Sequence, residues 1–145
     1  IATTKRHPSR TRHRTAVSRD GTLLAGEIEV VIDGGAYATL SPVVLSRATI
    51  HAPGPYHWPH LTVRAKAIAT NVAPHGAFRG FGAPQTLFAL ERHMDKIART
   101  IGLSPEELRS RNFLISHRHS YCNWPSVAHR AVTGVSRPSL ERSNR

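Results

Sequence analysis

Arg79 stands between Phe78 and the run Gly80-Phe81-Gly82, just ahead of Pro84. These residue types suit the capture of a flat, anionic ligand. Glycines let a backbone approach closely and expose its N–H groups. Proline suits the first turn of a helix, and a helix N-terminus carries partial positive charge that favours anions. Arg79 adds planar donors matched to phosphate or oxo groups, and Gly80 beside it opens the backbone to the same ligand. Phe81 offers a ring able to stack on a flat substrate. The structural alternative is a turn whose two phenylalanines pack under a sheet. Gly80-x-Gly82 is not the longer glycine fingerprint of a dinucleotide site, which argues against a Rossmann pocket. Arg47 lies in the apolar stretch from Val43 to Ile50, where an arginine needs a partner or water. Snorkelling to the surface is its plain alternative.

The remaining chemistry-bearing residues point to little. None of the ten histidines has H-E-x-x-H or similar spacing. His57 and His60 are three apart, but Pro59 between them works against a helix. The histidines therefore read as ordinary core or surface residues. No Ser-His-Asp set or pair of catalytic carboxylates is legible, so no catalytic residue and no metal ligand is assigned. The lone Cys122 excludes an internal disulfide framework, a multi-cysteine zinc site and an iron–sulfur cluster held by this chain alone.

The elements that must position the loop can be read from periodicity. Arg14 to Val17 reads as a short strand, turned by Asp20-Gly21. Leu23 to Asp33 alternates Ile28, Val30 and Ile32 against Glu27, Glu29, Val31 and Asp33, the pattern of a strand with one buried face. Val43 to Ile50 fits helix or strand, and Pro53-Gly54-Pro55 ends it. Leu61 to Thr70 alternates again, as a second strand of hairpin length. After the loop, Leu87, Leu90, Met94, Ile97 and Ile101 step by three and four, predicting an amphipathic helix from Pro84 to a stop at Gly102. Ser104-Pro105-Glu106-Glu107 has a capping serine and an acid three residues on, predicting a short helix to about Asn112. The expected fold class is α+β: a twisted sheet of short strands, one long amphipathic helix packed on it, and an irregular C-terminal tail.

The chain has 145 residues, one domain's worth, with 39% hydrophobic and 20% charged residues. That is too apolar for outright disorder and too polar for a membrane bundle. No apolar run approaches the roughly 20 residues of a membrane span. Neither a membrane nor nucleic acid is an expected partner. The net charge of +11 points to nucleic acid when taken alone. Its distribution argues otherwise: residues 1–14 carry +5 and residues 115–145 carry +4, leaving +2 for everything between. A basic nucleic-acid-binding module stays as the rival reading, and salt-dependent DNA affinity would favour it. A non-functional truncated product is a third. The absence of an initiator methionine suggests an internal piece of something longer. With no signal peptide visible, the expected compartment is the cytoplasm.

Gly76-Ala77-Phe78-Arg79-Gly80-Phe81-Gly82-Ala83-Pro84-Gln85 resembles the signature loop of the xanthine dehydrogenase/aldehyde oxidase family of molybdenum hydroxylases. Lys5-Arg6-His7-Pro8, Asp20-Gly21-Thr22, Asp33-Gly34-Gly35-Ala36-Tyr37 and His51-Ala52-Pro53-Gly54-Pro55-Tyr56 follow in that family's order and spacing. So do Leu103 to Arg109 and Arg111-Asn112-Phe113. The resemblance implies a partial molybdopterin-binding domain over residues 1–114. It implies that Arg79 and Gly80 contact a molybdenum–molybdopterin cofactor, and that Phe81 and Arg47 contact an N-heterocycle or aldehyde substrate. It implies hydroxylation with water-derived oxygen, assisted by a base glutamate that no acidic residue here matches. The implied partners are the rest of the large subunit, iron–sulfur and FAD subunits or domains, and a small-molecule substrate.

Beyond Ile115 the periodicity dissolves and the resemblance stops. Arg118 to Val127, with suitable codons read one nucleotide later, gives DTATATGQVL, which fits the family's continuation. The expectation is a frameshift near residues 115–118 and a disordered tail over 115–145.

Overall fold

The computed structural model describes residues 4–114. The expectation of an irregular, frameshifted tail falls outside these described residues. The elements run β1 (Ser9–Val17), β2 (Leu23–Gly35), α1 (Ser41–His51), β3 (His60–Ala69), α2 (Ala83–Ile101) and α3 (Pro105–Asn112). This is the α+β arrangement expected, with a three-stranded sheet in the order β1-β2-β3.

β1 pairs antiparallel with β2 and β3 pairs parallel with it, with Ile28 opposite Val63 and Ile32 opposite Ala67. A parallel neighbour needs a crossover. That crossover is α1, so the stretch from Val43 to Ile50 is resolved as helix. Pro42 sits in its first turn, and Val44, Leu45 and Ala48 form its buried stripe. β1 begins five residues earlier than the sequence suggested, because Ser9 to His13 complete the pairing with Ile28 to Ile32.

One face of the sheet is the core face. Ile28, Val30 and Ile32 are each at most 1% exposed, and full burial of such a side chain contributes roughly 1.5–3 kcal/mol. Leu90, Met94 and Ile97 of α2 belong to the same core. The opposite face carries charge: Arg64 lies 2.5 Å from Glu27 and Lys66 3.9 Å from Glu29. α2 ends at Gly102 with φ 77°, and Ser104 caps α3 by accepting a hydrogen bond from the Glu107 N–H. Arg109 then ties α3 to α2 through Glu91 and Asp95, each at 2.8 Å. Among the described residues, no helix is long and apolar enough to cross a membrane.

Candidate functional site

The loop from Phe78 to Gly82 is a tight turn carried on the N-terminus of α2. Phe81 N–H donates to Phe78 O at 2.8 Å, and Ala83 N–H to Gly80 O at 3.0 Å. Gly80, Phe81 and Gly82 lie in succession in the left-handed region, with φ of 90°, 46° and 96°. Glycine adopts that region freely, whereas a left-handed phenylalanine costs roughly 1–2 kcal/mol. Such strain persists only where the surroundings enforce it. One enforcing contact is with α1: a Cβ on Gly82 would fall 2.3 Å from the Val44 carbonyl oxygen and 3.1 Å from the Ala48 Cβ. No larger residue fits between the loop and that helix.

On its other side the loop is laced to the N-terminal segment. Gly76 N–H donates to Lys5 O at 3.1 Å. Arg6 Nη2 donates to Arg79 O at 2.9 Å, and Arg6 Nη1 to Gln85 Oε1 at 3.3 Å. The Arg6 guanidinium carbon also lies 4.9 Å from the centre of the Phe78 ring.

This scaffold leaves the candidate residues facing outward. Arg79 and Gly80 are exposed, and Phe81 is 41% exposed. The Arg79 guanidinium and the backbone N–H groups of Arg79 and Gly80 have no hydrogen-bond partner among the described residues. Arg47 is also exposed, on α1 between the two residues that abut Gly82. The structure thus brings Arg79, Gly80 and Phe81 together and places Arg47 on the helix against which their loop docks. An unpaired guanidinium, free amides and a helix N-terminus fit an anionic group. An exposed ring beside them fits a planar one.

Behind the loop lies a polar cluster that sequence spacing missed. His7 is buried and its Nε2 lies 2.9 Å from Ser41 Oγ. Burial first, and then His75, lower its proton affinity. The His75 ring is 5.8 Å from the His7 ring, and its Nε2 is 3.8 Å from Asp33 Oδ2, an ion-pair rather than a hydrogen-bond distance. Burial pushes the Asp33 carboxyl up. Hydrogen bonds from Thr70 Oγ1 at 2.6 Å and Gly35 N–H at 2.9 Å outweigh it and hold the group below the usual carboxylate range. His7, Asp33 and His75 are 26 or more residues apart, so no local motif could announce them. No group of three or more histidine, cysteine, aspartate or glutamate side chains suited to a metal occurs among the described residues.

Residues 1–113 match the family model described as the molybdopterin cofactor-binding domain. The chain is 42% identical over 113 residues to a probable xanthine dehydrogenase subunit of Bacillus subtilis, covering 78% of this chain and 15% of that protein. It is 43% identical over 108 residues to the nicotinate dehydrogenase large molybdopterin subunit of Eubacterium barkeri, covering 74% of this chain and 25% of that one. Its fold is similar to that of the aldehyde oxidoreductase from Desulfovibrio gigas. The TM-score is 0.75 at 34% identity, over 81% of this chain and 13% of that one. Quinoline 2-oxidoreductase from Pseudomonas putida 86 aligns with a TM-score of 0.72 at 35% identity, over 79% and 15% of the two chains.

Proposed function

The chain belongs to the molybdopterin cofactor-binding domain family, and on that premise we propose that it forms part of the large subunit of a cytoplasmic molybdenum hydroxylase acting on an N-heterocycle or an aldehyde. The cofactor of the family is molybdenum–molybdopterin. The carrying observation is the exposed left-handed turn that sets Arg79, Gly80 and Phe81 side by side on a helix N-terminus. In this reading the domain comprises residues 1–114, and the rest of the large subunit closes the site. Iron–sulfur and FAD domains or subunits carry electrons away.

The cofactor, when bound, supplies two-electron oxidation with oxygen drawn from water. This chain's residues bind and orient. Arg79 donates its planar N–H groups to an anionic part of the cofactor, and the free Gly80 N–H adds a second donor. Phe81 lays its ring against the flat substrate. Arg47 donates to a polar atom of the substrate from the α1 side. The base that takes the substrate's proton comes from chain outside residues 1–114.

In the full-length protein carrying this chain, Arg79→Ala should weaken cofactor retention. A charge-assisted hydrogen bond contributes roughly 1.5–3 kcal/mol, about 10- to 100-fold in affinity. Phe81→Ala should keep molybdenum content and lower kcat/KM about two- to tenfold, the scale of an oriented aromatic contact. Molybdenum per protein, melting temperature and kcat/KM on purine, N-heterocycle and aldehyde panels separate these outcomes. Unchanged molybdenum in a fully folded Arg79→Ala protein would defeat the assignment. For residues 115–145 the proposal is a shifted reading frame, and resequencing the locus tests it. Codons for Arg118 to Val127 that do not give the family's continuation when read one nucleotide later would end it, whether the shift is a sequencing error or a decayed gene.

A further inference from the structure

We infer that Arg6 is a positioning residue that aims the Gly80 N–H outward by holding the Arg79 carbonyl from behind. The inference rests on the cofactor-facing reading of this loop and adds a residue that the loop motif does not contain. One guanidinium touches the first two residues of the loop, through the Phe78 ring and Arg79 O, and the helix beyond through Gln85 Oε1. A guanidinium presents its donors in a rigid plane, so satisfying two acceptors fixes the angle between them.

The acceptor that matters is the Arg79 oxygen. It belongs to the peptide unit that also carries the Gly80 N–H. That unit is planar, and with no cis bonds among the described residues its C=O and N–H point in opposite directions. Drawing the oxygen toward Arg6 therefore turns the Gly80 N–H away from Arg6, to the side where no described residue uses it. A cation on the oxygen also polarises the peptide and strengthens the N–H as a donor.

Glycine at 80 has wide conformational freedom, so without such a hold the peptide could rotate and lose that direction. Gly82 cannot supply the hold, because its contact with α1 lies on the far side of Phe81. Gln85 is itself braced, its Nε2 donating to His7 O at 3.4 Å, so the clamp closes back onto the segment that carries Arg6.

The test uses the full-length protein with Arg6→Met, which keeps an apolar stem over Phe78, and Arg6→Lys, whose single ammonium can serve one acceptor. Amide exchange of the cofactor-free protein is read by mass spectrometry over peptides covering residues 78–83 and 27–32. In Arg6→Met, exchange over 78–83 should quicken at least about fivefold while 27–32 stays unchanged. Arg6→Lys should recover part of the protection. Unchanged exchange at 78–83 in both variants overturns the inference, as does an equal rise over 27–32. Molybdenum content of the same variants separates the two claims. If the loop loosens and molybdenum falls, both stand. A loosened loop with full molybdenum retention keeps the positioning role and defeats the cofactor reading. If Arg6→Met does not fold, Arg6→Lys alone decides by whether 78–83 quickens ahead of 27–32.

Discussion

His13 and His93 stack with ring centroids 4.8 Å apart, and Thr15 Oγ1 lies 2.9 Å from His93 Nε2. Burial, and next the neighbouring His93, push the His13 imidazole down to about 4 from 6.5. Burial, and next Lys96, lower His93 as well. In the unfolded chain these rings take up protons near pH 6.5, whereas the folded protein resists until lower pH. The unfolded state thus binds more protons inside that window, and stability must fall as pH drops from about 6.5 toward about 4. Above the window both states are neutral and the contribution is flat. The melting temperature of the 145-residue chain should therefore fall between about pH 7 and about pH 5. His13→Phe keeps a stacked ring without a titrating group and should remove a large part of that fall. An equal fall in both proteins would show that His13 is not its source. Sequence spacing gave the histidines no special standing, and it had no means to, since what sets His13 apart is a partner 80 residues away.

The docking of the loop on α1 sets the geometry that Arg79 and Phe81 share. Gly82→Ala adds a Cβ 2.3 Å from a helix carbonyl that cannot swing aside, at φ 96°. Gly102→Ala is the matched control, with φ 77° but nothing within 4 Å of the added carbon. The control should cost roughly 1–2 kcal/mol, the left-handed penalty alone. Gly82→Ala should cost at least about 1 kcal/mol more, or roughly 3–4 °C further in melting temperature for a domain of this size. Equal losses in the two variants would mean that the loop does not rest on α1. The elements themselves were largely legible. The alternation of Ile28, Val30 and Ile32 marked β2, the stripe from Leu90 to Ile97 marked α2, and Ser104 with Glu107 marked the start of α3. The stretch Val43-Val44-Leu45 was not legible, because a short apolar run suits either period until Val44 and Ala48 find Gly82. Parallel pairing of β3 was equally hidden, since alternation records which face is buried and not which way a strand runs. At the site, Arg79, Gly80 and Phe81 announced themselves by local composition. Arg6 did not, nor, away from the site where α3 meets β2, did Asn112. Asn112 is buried, its Oδ1 accepting from Leu23 N–H at 2.9 Å and its Nδ2 donating to Gly21 O at 2.8 Å. Those partners lie about 90 residues upstream, so only the fold brings them within reach.

At the scale of the whole molecule, charge and enclosure both bear on what this chain does by itself. On the outer face of the sheet, part of the basic excess is paired with acids. Glu27 lies within 3.7 Å of Arg14 and 2.5 Å of Arg64, which works against a nucleic-acid surface there. The chain spans 15% and 25% of its Bacillus and Eubacterium relatives, and the candidate ligand-facing residues lie open on its surface. A cofactor site normally encloses about 70–90% of its ligand with donors converging from several directions. Here a single turn contributes, through Arg79, Gly80 and the ring of Phe81. An arginine contact of roughly 1.5–3 kcal/mol is weaker than the 4.1 kcal/mol that corresponds to about 1 mM. The purified 145-residue chain should accordingly lose added molybdenum cofactor on gel filtration and hydroxylate no purine, N-heterocycle or aldehyde. On the proposed reading, the full-length protein should hold the cofactor through the same step, with loops from outside this chain closing over the turn. Stoichiometric retention by the isolated chain would show that the turn binds far more strongly than its exposure allows, and would overturn this account of how the site is completed.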